Sequence, residues 1–287
     1  MRVLVTGAGG QVGAAVVRRL HELAAGRRRD PVEVVAADHG LLEVGLRDRV
    51  LSLVAGSEPD VIFHAAAWTA VDACEDDPDR AFRVNALGTR HVAEAARLVG
   101  AHLVYVSTDY VFDGRLARPY AEWDEPNPLS VYGRSKRAGE LEVDPAWTTL
   151  RTSWVVGTEG TNMARTVLRL ARSEGPLRFV DDQRGSPTVA TDLACKMVEL
   201  GLARRPGLFH VTNAGETTWF GFAAEVLRLA GLDASRVEPI TTAELEPPRR
   251  APRPANSVLD NAALRLSGDG LLPPWQESLE AVVGELV

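Results

Sequence analysis

The chain is short of lysine, cysteine and histidine. Of its 32 basic side chains only Lys136 and Lys196 are lysine; the rest are arginine. The two cysteines, Cys74 and Cys195, form no CxxC pair, which argues against a disulfide framework and for a reducing compartment. The six histidines are scattered without an HxxxH pair, so no metal site is expected. No stretch approaches the ~20 apolar residues of a membrane span. No basic segment followed by an apolar run opens the chain, so no leader is expected and the location is read as cytoplasmic. A net charge of −7 leaves no basic face for nucleic acid. The arginine runs at 27–29 and 249–250 read as solvated surface.

What is present is a rhythm of apolar runs and longer amphipathic stretches. Residues 2–6, 32–37, 61–66 and 102–107 read as strands, and 11–25 and 79–100 as helices. Near-continuous apolar strands separated by helices predict a doubly wound parallel α/β sheet covered on both faces. After about residue 155 the rhythm changes. Helices are expected at 162–172, 190–203, 219–230, 259–266 and 276–286, with strands at 177–180 and 208–213. The division drawn is a dinucleotide-binding domain over 1–155 and a smaller, mainly substrate-binding α/β lobe over 156–287, interleaved with the sheet.

Three motifs carry chemistry. TGAGGQVG (6–13) follows the first strand and opens the first helix, with Gly7, Gly10 and Gly13 spaced for a tight turn that lets backbone N–H groups approach a pyrophosphate. The second strand ends at Asp38. A carboxylate there suits the adenosine ribose hydroxyls and repels a 2′-phosphate, favouring NADH over NADPH; a solvated strand end is the other reading. His39, Arg47 and Arg49 are close enough in sequence to soften that choice. Tyr132 and Lys136, four apart on a helix from about Ser130, share one face. An ammonium beside a phenol lowers its pKa toward neutrality, which suits a general acid to a carbonyl oxygen.

Glycine-rich turn, hydroxyl-bearing end of the fourth strand and YxxxK, in that order, resemble the extended short-chain dehydrogenase/reductases, a Rossmann-type fold. STDYVFDG (107–114), RPYAEWDEPNPLSVYGRSKRAGE (118–140), RTSWVVG (151–157), DDQRGSPT (181–188) and RPANSVLD (253–260) resemble the dTDP-4-dehydrorhamnose reductase family over the whole chain. The resemblance implies reduction of the C4 ketone of a dTDP-4-keto-6-deoxy-hexose by NADH or NADPH, yielding dTDP-L-rhamnose or a related deoxysugar. It implies Thr108 on the substrate carbonyl, Tyr132 as proton donor and Lys136 as partner of Tyr132 and the nicotinamide ribose. It implies Gly10, Gln11 and Val12 at the pyrophosphate, Glu43 and Val44 near the adenine, and Ala67, Trp68 and Thr69 at the cofactor–substrate junction. Val71, Ser107, Asp109, Tyr110 and Trp154 fall to the sugar pocket.

Related dehydratases carry an Asp-Glu pair after this Thr; here the second position is Tyr110, so the base for elimination is missing. Ala14-Ala15 stand where some members carry an acid linked to a magnesium-bridged dimer. The partner expected is a small dTDP-sugar, with the protein a monomer or homodimer. The rival function is a non-catalytic NADP-binding subunit resembling that of methionine adenosyltransferase. Trp123, Trp147, Trp219 and Trp275 read as packing, Asp181, Asp182 and Gln183 as a polar turn or a part of the substrate lobe, Arg249 and Arg253 as a surface linker or a diphosphate grip, and His210 as a satisfied core residue.

Overall fold

The computed structural model describes residues 1–26 and 32–287. The arginine run at 27–29 lies outside the described residues. Strand β1 (Arg2–Thr6) leads to helix α1 (Gln11–Gly26), and β2 (Glu33–Ala37) to α2 (Arg47–Ser57). After β3 (Val61–His64) come α3 (Val71–Asp76), α4 (Pro78–Phe82) and α5 (Gly88–Val99), the last two joined by a π-helical turn at Arg83–Leu87. Then follow β4 (His102–Thr108), α6 (Val131–Glu140) and β5 (Thr148–Thr152). The rest comprises β6 (Val155–Val156), α7 (Met163–Leu170), β7 (Leu177–Val180), β8 (Arg184–Gly185), β9 (Thr188–Val189) and α8 (Ala190–Leu202). It ends with β10 (Gly207–His210), β11 (Thr217–Thr218), α9 (Trp219–Leu229), β12 (Val237–Ile240), α10 (Ala262–Ser267) and α11 (Trp275–Leu286).

The central sheet runs β10-β5-β4-β3-β1-β2 and every pair in it is parallel. Alternation along β1 sends Val3 and Val5 into the core shared with Val16 and Leu20 of α1 and Leu193 and Met197 of α8. Leu4 points the other way, to Val50 and Val54 of α2 and Val92 and Ala96 of α5. Both faces are thus covered, as parallel strands require. The chain reverses its strand order at β1, with β2 on one side and β3 on the other. In such sheets a crevice opens beyond the strands' carboxyl ends at that point.

β10, from residues 207–210, forms one edge of this sheet. A separate core joins Phe179, Phe222, Val226, Trp275 and Leu279 from the later elements. Among the four tryptophans read as packing, Trp275 is buried there, and Trp147 packs on the second core with the Arg97 guanidinium over its ring. Trp123 differs, being 68% exposed. Glu122 takes the inward place beside it, accepting from His210 N and Ala263 N at 2.8 and 3.1 Å, so its neighbour faces out. His210 is buried, with Nδ1 3.0 Å from the Tyr120 carbonyl and Nε2 without a partner among the described residues; it is half satisfied. Asp181 and Asp182 serve a polar turn, accepting from the Thr218 and Thr242 hydroxyls at 2.6 Å.

Candidate active site

At the end of β1 the chain must double back under the first turn of α1. Gly7 has φ +70°, and a Cβ there would lie 2.6 Å from Ala66 N. A Cβ on Gly13 would overlap the Gly7 carbonyl oxygen. The two glycines bring helix, turn and the loop after β3 closer than side chains permit. The result is a cradle of glycine backbone at the N-terminus of a 16-residue helix, which suits a pyrophosphate.

One cavity of about 590 Å³ runs past this turn, lined by Gly7, Gly10, Asp38, Glu43, Val44, Ala67 and Trp68. A second, of about 380 Å³, holds Gly10, Gln11, Val12, Gly13, Ala67, Thr69 and Val71 with Ser107, Thr108, Asp109, Tyr110, Tyr132, Lys136 and Trp154. Gly10 and Ala67 line both, so the residues given catalytic, cofactor and sugar roles all line one or the other of two adjoining cavities.

Local structure aims these groups. The Ser130 hydroxyl caps α6 by accepting from Gly133 N at 3.1 Å, and the helix start is also held by Glu75, which accepts from Val131 N at 2.7 Å. That fixes Tyr132 in the first turn. The π-turn before α5 places Asn85 inward, where its side chain pairs with Trp68 N and O at 2.8 and 3.1 Å and donates to Ser135 Oγ at 2.9 Å. Asn85 thereby locks the loop carrying Ala67, Trp68 and Thr69 against α6. π-turns often sit at functional sites, but nothing in the sequence pattern marks this one.

The electrostatics correct one expectation. Lys136 does not sit on the Tyr132 phenol. Its Nζ donates to the Val106 carbonyl at 2.6 Å and lies 4.2 Å over the Tyr105 ring. Burial lowers its pKa to about 7, with Glu140 pulling the other way. Burial likewise pushes the Tyr132 phenol above its ordinary value, opposed by hydrogen bonding to Thr108 and reinforced by Asp109 and Tyr110. A carbonyl and an aromatic face outcompete the phenol for the ammonium in this state, so the phenol keeps its proton.

Asp38 lines the first cavity with Oδ1 accepting from Leu41 N at 3.0 Å. Arg47 takes no part there; both ends of its fork go to Glu94. The arginines in that cavity are Arg80, whose guanidinium lies 4.4 Å over Trp68, and Arg83. Their spacing of three on one helical stretch was the available signal. Trp219 packs against the core around Phe222, as read, and its ring also lines the second cavity, stacked on Trp154 at 3.6 Å and 7° between planes. It reaches the cleft because α9 starts beside β8, paired with β11. Arg253 is not free for a diphosphate: both arms fork onto Asp72 at 2.6 and 2.7 Å.

A parallel sheet with a switch-point cleft, a glycine turn at its first helix and a Tyr–Lys pair at its fourth strand define an extended short-chain dehydrogenase/reductase fold. The family model described as RmlD substrate binding domain matches residues 1–287. The chain belongs to the dTDP-4-dehydrorhamnose reductase family. It is 42% identical to a dTDP-4-dehydrorhamnose reductase of Streptomyces griseus, over 97% of this chain and 91% of that one. The crystal structure of a dTDP-4-dehydrorhamnose reductase from Clostridium acetobutylicum superposes with a TM-score of 0.92 at 38% identity, covering 100% and 99% of the two chains. That of dTDP-4-dehydrorhamnose reductase from Bacillus anthracis in complex with NADP gives 0.89 at 37%, covering 99% of each.

Proposed function

We propose that this protein reduces the C4 ketone of a dTDP-4-keto-6-deoxy-hexose with NADH or NADPH, converting dTDP-4-dehydro-L-rhamnose to dTDP-L-rhamnose or serving a related deoxysugar of natural-product synthesis. The observation that carries the reading is the convergence of Thr108, Tyr132 and Lys136 on a cavity continuous with the glycine cradle. Residues 1–155 act as the dinucleotide domain and 156–287 mainly as the substrate lobe.

Gly7, Gly10, Gln11, Val12 and Gly13 hold the pyrophosphate, Glu43 and Val44 flank the adenine, and Ala67, Trp68 and Thr69 mark the junction with substrate. Bound there, the reduced nicotinamide supplies the hydride that the ketone carbon receives. Thr108 and Tyr132 donate hydrogen bonds to the ketone oxygen, and preorganised donors aimed at a developing alkoxide are among the largest contributions to such reactions. Tyr132 then gives its proton to that oxygen. Lys136, an ammonium with three donors, holds the ribose in the bound state and favours the phenolate left behind. Ser107, Asp109, Tyr110 and Val71 shape the sugar pocket, and Trp154 presents an indole face to the pyranose C–H groups.

Asp38 favours NADH over NADPH through the ribose hydroxyls. The protein works in the cytoplasm as a monomer or homodimer, on a small molecule and not on nucleic acid.

The test is to follow the near-ultraviolet absorbance of NADH or NADPH with dTDP-4-dehydro-L-rhamnose. Consumption of the cofactor, lost in Tyr132→Phe, is expected. A folded protein that binds dinucleotide yet consumes neither cofactor contradicts the reading.

A further inference from the structure

We propose that Asp109 is a positioning residue that works as a neutral carboxylic acid: its O–H donates to Thr108 Oγ1 and so turns the single Thr108 hydrogen toward the substrate ketone. This rests on the ketoreductase reading above and adds to it the group that sets the direction of the Thr108 hydroxyl.

A count of hydrogen bonds carries the argument. A threonine hydroxyl has one hydrogen to give and two lone pairs to receive. Tyr110 N already donates to Thr108 Oγ1 at 3.2 Å, and Asp109 Oδ1 stands 3.0 Å from the same oxygen; the Tyr132 phenol, which also bears on Thr108, gives its own hydrogen to the ketone in the reaction and so takes no lone pair there. An ionised carboxylate can only accept. It would claim the one Thr108 hydrogen and leave none for a ketone. A neutral carboxyl donates instead, fills the remaining lone pair and frees that hydrogen for the cavity.

The surroundings favour the neutral form. Asp109 is 2% exposed, and its Oδ2 is buried without a hydrogen bond among the described residues. An unpaired buried carboxylate is costly. The groups that face it are the Thr108 and Ser257 hydroxyls and the phenols of Tyr110 and Tyr132. Arg253 bears on Tyr110 and is already forked onto Asp72. Burial raises the Asp109 pKa to about 7, against the pull of the Ser257 and Thr108 hydroxyls and of the Asp109 and Tyr110 backbone N–H groups. Apolar sites that keep a carboxyl neutral so that it can donate are a known device.

The inference predicts that single-turnover reduction of dTDP-4-dehydro-L-rhamnose falls as pH rises through about 7. Loss of protonated Lys136 gives a limb of the same sign, so variants decide. Asp109→Asn offers an N–H to Thr108 at every pH, so only the shallower limb of Lys136 remains. Thr108→Val has no hydroxyl to turn, and its limb shrinks to that of Lys136 too. Asp109→Ala has no carboxylate to claim the Thr108 hydrogen, so it too keeps only the Lys136 limb. A limb that persists unchanged in Asp109→Asn or Thr108→Val overturns the proposal. A second readout needs no turnover: below pH 7 the dinucleotide-bound protein shows the infrared carbonyl band of a protonated carboxyl, missing in Asp109→Asn. Absence of that band overturns the proposal whatever the substrate. The band without turnover overturns the ketoreductase reading, and with it the role given to Asp109, while leaving the neutral carboxyl standing.

Discussion

Glu140 and Arg151 meet as a two-pronged ion pair inside the molecule, Nε to Oε1 and Nη2 to Oε2, both at 2.8 Å. Arg151 is 1% exposed. The same carboxylate accepts from Ser107 Oγ at 2.6 Å and from Arg137 at 2.8 Å. One acid on α6 therefore ties together the end of β4, the helix that carries Tyr132 and Lys136, and β5.

Removing Glu140 strands the Arg151 charge in the interior. Glu140→Ala is expected to lose about 3–5 kcal/mol of stability in urea unfolding. Replacing both residues, as Glu140→Leu with Arg151→Met, costs far less because the one charge left without its partner, Arg137, reaches solvent. Equal losses in the single and double variants would contradict this account.

Two buried histidines make the protein sensitive to acid. Burial lowers the pKa values of His64 and His210 to about 3, from an ordinary 6.5. A folded pKa below the unfolded value means the unfolded chain binds protons first, so these groups take away stability as pH falls from 6.5 toward 3. For His210 the charged form meets Arg151 nearby and has no acceptor for Nε2 among the described residues. His210→Asn is expected to lose less of its melting temperature than the wild type across that window. A variant whose pH dependence matches the wild type would assign the effect elsewhere.

The Trp154–Trp219 stack makes a wall of the second cavity from two separate segments. Trp219→Ala removes the backing of the Trp154 ring. The KM for the nucleotide sugar should rise about tenfold, roughly 1.4 kcal/mol of binding, with the dissociation constant for NADH unchanged. Weakened NADH binding would show that Trp219 acts through the fold as a whole.

Legibility in the sequence followed the range of the interactions. β1, the glycine turn and α1 are contiguous, and their apolar run, glycine spacing and helical period appear within residues 2–26. Tyr132 and Lys136 are linked by one helical turn, so spacing alone puts them on one face. α2 was not anticipated: it buries only Val50 and Val54, and its Ala-Gly-Ser end blurs the period. Trp219 and Arg83 reach the cleft through strand pairing and a π-turn that join distant segments. The direction of the Lys136 ammonium depends on a carbonyl thirty residues away, which no local pattern encodes.

The measurement closest to the central claim is isotopic. The protein is given reduced nicotinamide bearing deuterium at its transferable position, together with dTDP-4-dehydro-L-rhamnose, and the product is read by NMR and mass spectrometry. The account predicts a dTDP-deoxysugar with one deuterium at C4, formed by the wild type and not by Tyr132→Phe. Recovery of the ketone unchanged, or a product without deuterium at C4, would contradict it.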